Sequence, residues 1–381
     1  MKSTRDKADL HVKESPFYIR QKLEIGIMAE DLVPKWLKFV LFFFLVAYMY
    51  GAMCVKYVSG AQSLVEGVSV TIFNDENRLQ EEIGFDPYYL AIIIFGVIAI
   101  YFSFGNIENA KVLQIVTTCL RFITTFLMMV GSMISFGYEG VSSPKDWITP
   151  DLDYIHLLFG NTIFVFICHH SVSGIVYPVR PQSTIKPMFF WSFLIGSCTL
   201  LLEATLAMLA FSHIENDSCD EFPCEIQKLY NINFANLPVI GQIVNFYPML
   251  NVAAVPILTI TLRNNLFQLF GIEGKQEVTR LKKGLWSIAL SLPVVAVTLF
   301  YRDAQTLITY TGGLTGMVIL LLIPAAFVQG SRRLGFEDIH GKTNHNNSPF
   351  KHAFWPFFIY GFSLITLGVV IYGIFKGGGG H

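Results

Sequence analysis

Two adjacent histidines inside an apolar run are the residues of this chain best suited to chemistry. The stretch Phe164–Pro178, FVFICHHSVSGIVYP, sets Cys168, His169, His170, Ser171, Ser173 and Gly174 among apolar side chains and ends in Pro178. Ionisable groups at membrane depth are costly unless they face protein or water, so they are first read as functional. Imidazole changes charge near neutral pH, and either histidine could carry a proton. Gly174 and Pro178 make the second half of the segment less helical than the first. A broken helix exposes carbonyls and amides that can coordinate an ion or a zwitterion. The competing reading is a kinked helix whose histidines are neutral and satisfied by their neighbours.

Three other apolar runs carry polar groups. Gly241–Leu262 holds Asn245, Pro248, Asn251 and Pro256. Two prolines kink a helix and free carbonyls, and Asn251 could line a polar path or simply bond to a neighbouring helix. Thr311-Gly312-Gly313-Leu314-Thr315-Gly316 permits close helix contact. Arg121 and Glu203 lie within separate apolar runs, and a structural ion pair would account for both. Lys38 and Lys56 are expected near span ends, where long side chains snorkel.

The elements that must position these groups follow from composition. The chain of 381 residues is 53% hydrophobic and 14% charged, with 34 Phe. Soluble domains carry nearly twice that charge, so the reading is an all-α polytopic membrane protein. Nine runs approach the roughly 20 residues needed to cross a bilayer. They are Trp36–Ser59, Tyr88–Phe104, Leu113–Phe136, His156–Val179, Met188–Phe211, Gly241–Leu262, Trp286–Tyr301, Leu307–Gln329 and Phe354–Phe375. Membrane-barrel alternation is absent. With the N-terminus inside, the inner segments hold 19 Lys/Arg and the outer ones 4, which sets the orientation. Residues 1–35 then form a cytosolic arm, read either as carrying a short amphipathic helix at the inner surface or as a tether with some apolar residues, 36–375 the transmembrane helical domain, and 376–381 an extracytosolic tail. The membrane type stays open between plasma membrane and endomembrane. Outer loop 212–240 carries a glycosylation pattern at Asn216 and two cysteines, Cys219 and Cys224, that could form a disulfide or stay free. Cys54, Cys119, Cys168 and Cys198 read as core residues. Net charge is −1, which excludes a nucleic-acid footprint. No Cys/His metal spacing, nucleotide loop or serine-nucleophile motif is present, so neither an enzyme nor a bound metal or cofactor is expected.

Phe166-Ile167-Cys168-His169-His170, with Ile175-Val176 and Pro178, resembles the sixth helix of amino acid/auxin permease-type transporters such as the sodium-coupled neutral amino acid transporters. The chain is more closely similar to the group called transmembrane protein 104. That likeness rests on Ile260-Thr261-Leu262-Arg263-Asn264-Asn265 and on Ser348-Pro349-Phe350-Lys351-His352-Ala353-Phe354-Trp355. It also rests on Leu113-Gln114-Ile115 with Arg121, and on Ser15-Pro16-Phe17 with Glu24-Ile25-Gly26. The resemblance implies an inverted-repeat fold of eleven helices, with substrate and ion between the broken first and sixth. Trp36–Ser59 then looks like the third helix, and the chain lacks the first two. The expectation is an ion- or proton-coupled transporter of amino acids or similar small solutes, in N-terminally truncated form. His169, His170, Ser171 and Asn251 would line the site, and Na+ or H+ would be the coupling ion. The alternative is a non-transporting sensor or scaffold on the same fold.

Overall fold

The computed structural model describes residues 17–20, 23, 25–73, 78–104, 111–142, 155–212, 226, 230–234, 237–272, 279–335, 338–339, 342–343 and 348–377. Asn216, Cys219 and Cys224 lie outside the described residues, as do most of the arm and tail. The described chain is helical apart from one two-residue antiparallel pairing, 338–339 with 342–343. Among the described residues, eight helices are long and apolar enough to cross a membrane: Lys35–Phe73, Lys111–Tyr138, Ile155–Val176, Gln182–Phe211, Ile240–Leu269, Arg280–Phe300, Ala304–Arg333 and Phe354–Lys376. Pro87–Ser103 is equally apolar but has 17 residues.

A short helix α1 (Ile25–Leu32) precedes α2 (Lys35–Val68), which ends in a wide π-turn, and then α3 (Arg78–Ile83). Next come α4 (Pro87–Ser103) and α5 (Lys111–Tyr138). The histidine-bearing segment is α6 (Ile155–Phe166), a tight 3₁₀ turn His169–Ser171, and α7 (Val172–Val176). Then follow α8 (Ile185–Phe211), α9 (Ile240–Val244), a 3₁₀ stretch Tyr247–Ala253, and α10 (Ala254–Leu269). After α11 (Arg280–Phe300), α12 (Ala304–Ile308) runs through π-turns 309–316 and 318–322 into α13 (Ile323–Arg333), and α14 (Phe354–Gly377) closes the bundle.

Local chemistry sets several of these ends. Asp86 caps α4 by accepting from the Tyr88 N–H at 2.9 Å, with Pro87 in the first helical position. Asp303 caps α12, its carboxylate accepting from the N–H groups of Gln305 and Thr306 at 3.0 and 3.4 Å. Pro248 and Pro256 remove backbone donors, and between Phe246 and Ala253 the chain winds as 3₁₀ turns. Hydroxyls along the spans bond back to carbonyls four residues earlier, as in Ser59 to Val55 at 2.8 Å and Thr259 to Val255 at 3.0 Å. These bonds satisfy polar groups where lipid offers no partner.

The core is built around α2. Its Leu41, Leu45, Met49, Met53 and Tyr57 are buried against Ile92 and Phe95 of α4, Leu262 of α10, Val294 of α11 and Ile319 of the π-turn segment. By contrast α8 and α14 turn large apolar side chains outward, among them Phe190, Trp191, Ile195, Phe357, Leu364 and Ile365. Such outward apolar area suits contact with acyl chains. Cys54 is buried and Cys168 half-buried as core residues should be, but Cys119 and Cys198 are exposed on their helices and face the same surroundings as these side chains.

A very close seam joins α6 to the 309–316 turns. A Cβ placed on Gly312 would lie 2.1 Å from the Gly160 carbonyl oxygen. The two backbones touch, and only a residue without a side chain fits there.

At the end of the bundle where α2 begins, the N-terminal segment is clasped to the chain just after the broken helix. The Ile19 N–H donates to the Gln182 side-chain oxygen at 2.9 Å, and the Gln182 amide donates back to the Ile19 carbonyl at 2.9 Å. Arg180 stacks on Tyr18 at 5.0 Å. Helix α1 packs against α2, α10 and α13. The amphipathic helix expected in this arm is therefore present, but it is docked on protein.

Candidate functional site

The bundle holds a cavity of about 1100 Å³, open at the end where α2 finishes and α12 begins. One stripe of α2 forms a wall: Lys56, Ser59, Gln62 and Glu66, spaced three or four residues apart and so on one helical face. Opposite stand Phe164 of α6, Glu203 of α8, and Tyr247 and Asn251 of the 3₁₀ stretch. Phe164 is nine residues into its helix, about 13 Å along the axis from Ile155. The cavity thus reaches well below the ends of the bundle.

Its polar groups fall into two sets, those with protein partners and those without. Asn251 donates to the Ser59 hydroxyl at 3.1 Å. At the mouth, Arg302 bonds Asp86 at 2.5 Å and lies over the rings of Tyr88 and Tyr89 at 4.3 and 4.9 Å. Gln62 donates to the Arg302 carbonyl at 3.0 Å. Burial alone would raise the Asp86 carboxyl. The Arg302 hydrogen bond, the Tyr88 N–H and the Arg302 charge outweigh burial and hold it below the usual carboxylate range. The Lys56 ammonium stands 5.4 Å from the Phe164 ring and has no hydrogen-bond or carboxylate partner among the described residues. Lys56 therefore does not snorkel at a helix end, because α2 continues for twelve residues beyond it.

The candidate residues divide between two places. Asn251 is in the cavity wall. His169, His170 and Ser171 sit in the break of the α6–α7 segment, where Ser171 N–H bonds the Cys168 carbonyl at 2.9 Å. The break is real, but the imidazoles are not part of the cavity wall. His170 is buried, its ring 5.5 Å from that of Tyr48, and the Nδ1 atoms of both histidines are buried without a partner. Only the helix just before the break, at Phe164 and Val165, meets the cavity.

Arg121 and Glu203 are not joined by a salt bridge among the described residues. Arg121 instead donates to the Leu250 carbonyl at 3.0 Å. That carbonyl belongs to the 3₁₀ stretch Tyr247–Ala253. Glu203 lines the cavity. The groups that were not singled out as site residues are Lys56, Gln62 and Glu66. Their signal is the recurrence of polar residues at helical spacing from Lys56 through Ser59 to Glu66, where the apolar run gives out. Among the described residues no cluster of three or more His, Cys, Asp or Glu side chains could hold a metal ion.

No family model matches the chain. It is 27% identical over 368 residues to transmembrane protein 104 of Homo sapiens, covering 91% of this chain and 71% of that protein. It is 25% identical over 362 residues to a transmembrane protein 104 homolog of Dictyostelium discoideum, covering 92% and 71%. To the Drosophila melanogaster homolog it is 26% identical over 391 residues, covering 94% and 75%. With its apolar helices, this likeness makes the chain an integral, multi-pass membrane protein similar along nearly its whole length to proteins named transmembrane protein 104 in animals and an amoeba.

Proposed function

We propose that the chain belongs to a secondary transporter of small solutes, amino acids first among them, driven by a Na+ or H+ gradient. The observation that carries the reading is the cavity. It is open at one end of the bundle, reaches membrane depth and presents Lys56, Glu203 and Asn251 beside a helix broken at its middle. Intramembrane charges facing such a hollow are expected of a permeation path, and broken helices at mid-depth are a recurring device of transporters. On this reading Pro87–Ser103 crosses as well, giving nine crossings with the N-terminus inside and the C-terminus outside. The chain then follows the inverted-repeat pattern of amino acid/auxin permeases from the third helix onward, and the cavity faces outward. It carries out no covalent chemistry and needs no resident cofactor.

Uptake of labelled amino acids into proteoliposomes, under imposed Na+ and H+ gradients, tests the proposal. Saturable uptake that collapses with the gradient is expected. Solute binding without net flux under either gradient would move the reading to a membrane sensor on the same architecture.

A further inference from the structure

We propose that Lys56 is the cavity's anchor for a carboxylate, so that the solutes bound there are small molecules carrying that group. The inference rests on the cavity being the solute site and names the chemistry that site selects.

The argument is one of unmatched charge. Lys56 is half-buried in the wall of an open cavity, so its ammonium keeps only part of its hydration, and a ligand that displaces the remaining water must supply an anion and hydrogen bonds in its place. The Phe164 ring at 5.4 Å offsets part of the lost hydration. It supplies no acceptor for the three N–H bonds of Lys56. No carboxylate or carbonyl among the described residues does so either. Protein anions nearby do not fill the role. Asp86 is held by Arg302, Asp303 caps α12 and accepts from the Thr306 hydroxyl at 2.7 Å, and neither Glu66 nor Glu203 pairs with Lys56. A cation without an ion-pair partner makes a positive spot in a low-dielectric wall, which draws a small anion inward. One turn along α2, the Asn251–Ser59 pair adds a neutral polar edge. Its Asn251 carbonyl oxygen can accept from a solute N–H. A planar carboxylate is small enough for the spot, and a compact ammonium binds it as a point charge.

Purified full-length chain in detergent, followed by thermal unfolding with L-alanine, L-leucine and their amides L-alaninamide and L-leucinamide, tests this. Loss of one charge-assisted contact lowers affinity by about 10- to 100-fold. At least one acid should therefore protect the protein, with its amide weaker by that factor. Lys56→Met should lose the acid's protection by a similar factor, and Lys56→Arg should keep most of it, which separates lost charge from misfolding. Amides protecting as well as acids, Lys56→Met binding as tightly as wild type, or no protection by either acid would each overturn the proposal. Flux measured in parallel separates it from the transport reading. Uptake without acid selectivity removes Lys56 from its role but leaves transport standing. Lys56-dependent acid binding without uptake does the reverse.

Discussion

Replacing Gly312 by alanine should be among the most damaging one-carbon changes in this bundle. The added Cβ would stand 2.1 Å from the Gly160 carbonyl oxygen, 3.0 Å from its carbonyl carbon and 3.0 Å from the Phe164 Cβ. The nearest atom is backbone, so no rotamer change relieves the clash. Reaching even 3.0 Å from that oxygen means parting the two segments by about 0.9 Å. A gap of that size forfeits about a quarter to a half of each dispersion contact along the seam. Overpacking typically costs about 1–3 kcal/mol, and a backbone collision belongs at the upper end, about 3 kcal/mol. Gly196 of α8 serves as control, because nothing lies within 4 Å of a Cβ built there. There alanine should gain about 0.5–1 kcal/mol from backbone entropy. The two variants should thus differ by about 3.5–4 kcal/mol, or nearly three orders of magnitude in the unfolding equilibrium. Reversible denaturant unfolding in mixed micelles measures both. If Gly312→Ala were as stable as Gly196→Ala, the seam would not be the close backbone contact described here.

Arg263 is fully buried, its guanidinium donating to the Ser103 carbonyl and Ser287 hydroxyl at 3.0 Å each and the Lys283 carbonyl at 3.3 Å. Arg263→Met should lower stability by about 3 kcal/mol in the same unfolding assay, since it breaks charge-assisted bonds that tie α4, α10 and α11 together. Gln182→Leu removes both bonds to Ile19 at about 1 kcal/mol each, so hydrogen exchange at residues 18–20 should speed up by about 30-fold. Unchanged exchange would mean the clasp holds nothing. Asp86 titrates below its ordinary value near 4 in the folded chain, so its stabilising bond to Arg302 is complete above about pH 4 and is lost as pH falls through the lowered value. The melting-temperature difference between wild type and Asp86→Asn should therefore be flat from pH 8 to pH 5 and shrink only at lower pH; a difference that vanished by pH 6 would contradict this. Asn251→Ala should raise the half-saturating solute concentration in proteoliposome uptake by up to about tenfold, the weight of one neutral hydrogen bond.

Much of this architecture could be read from the residues because apolar length alone locates membrane helices. The break at Ile167–Ser171 was also legible, since adjacent histidines followed by Ser173, Gly174 and Pro178 make a poor helix. The cavity was harder to foresee. An apolar run ends at Ser59, but the helix goes on to Val68, with Ser63 buried in protein and Gln62 and Glu66 facing the cavity rather than lipid. Ser63 finds the Asn245 carbonyl at 2.6 Å, on a segment 182 residues away. That distant pairing turns what reads as a loop into a wall. Arg121 and Glu203 show the same limit. Charge balance suggests that they pair with each other, but Arg121 bonds the Leu250 carbonyl of the 3₁₀ stretch, an acceptor that no charge count reveals. The wide turns between Thr309 and Leu322 leave no periodic trace, because glycines and β-branched residues fit several helical forms.

The Ile19–Gln182 clasp bears on how often the chain passes through the bilayer. Two groups in hydrogen-bond contact at a bundle end occupy the same face of the membrane, so the passages between them must be even in number. Three long helices separate Ile19 from Gln182, an odd count that becomes even only if Pro87–Ser103 traverses too. The Asp86–Arg302 contact at the opposite end poses the same arithmetic over a different stretch, with five long helices between its partners and Pro87–Ser103 again supplying the missing sixth. Two unrelated contacts thus argue by parity for the ninth crossing proposed above, although its helix is too short to be recognised by length.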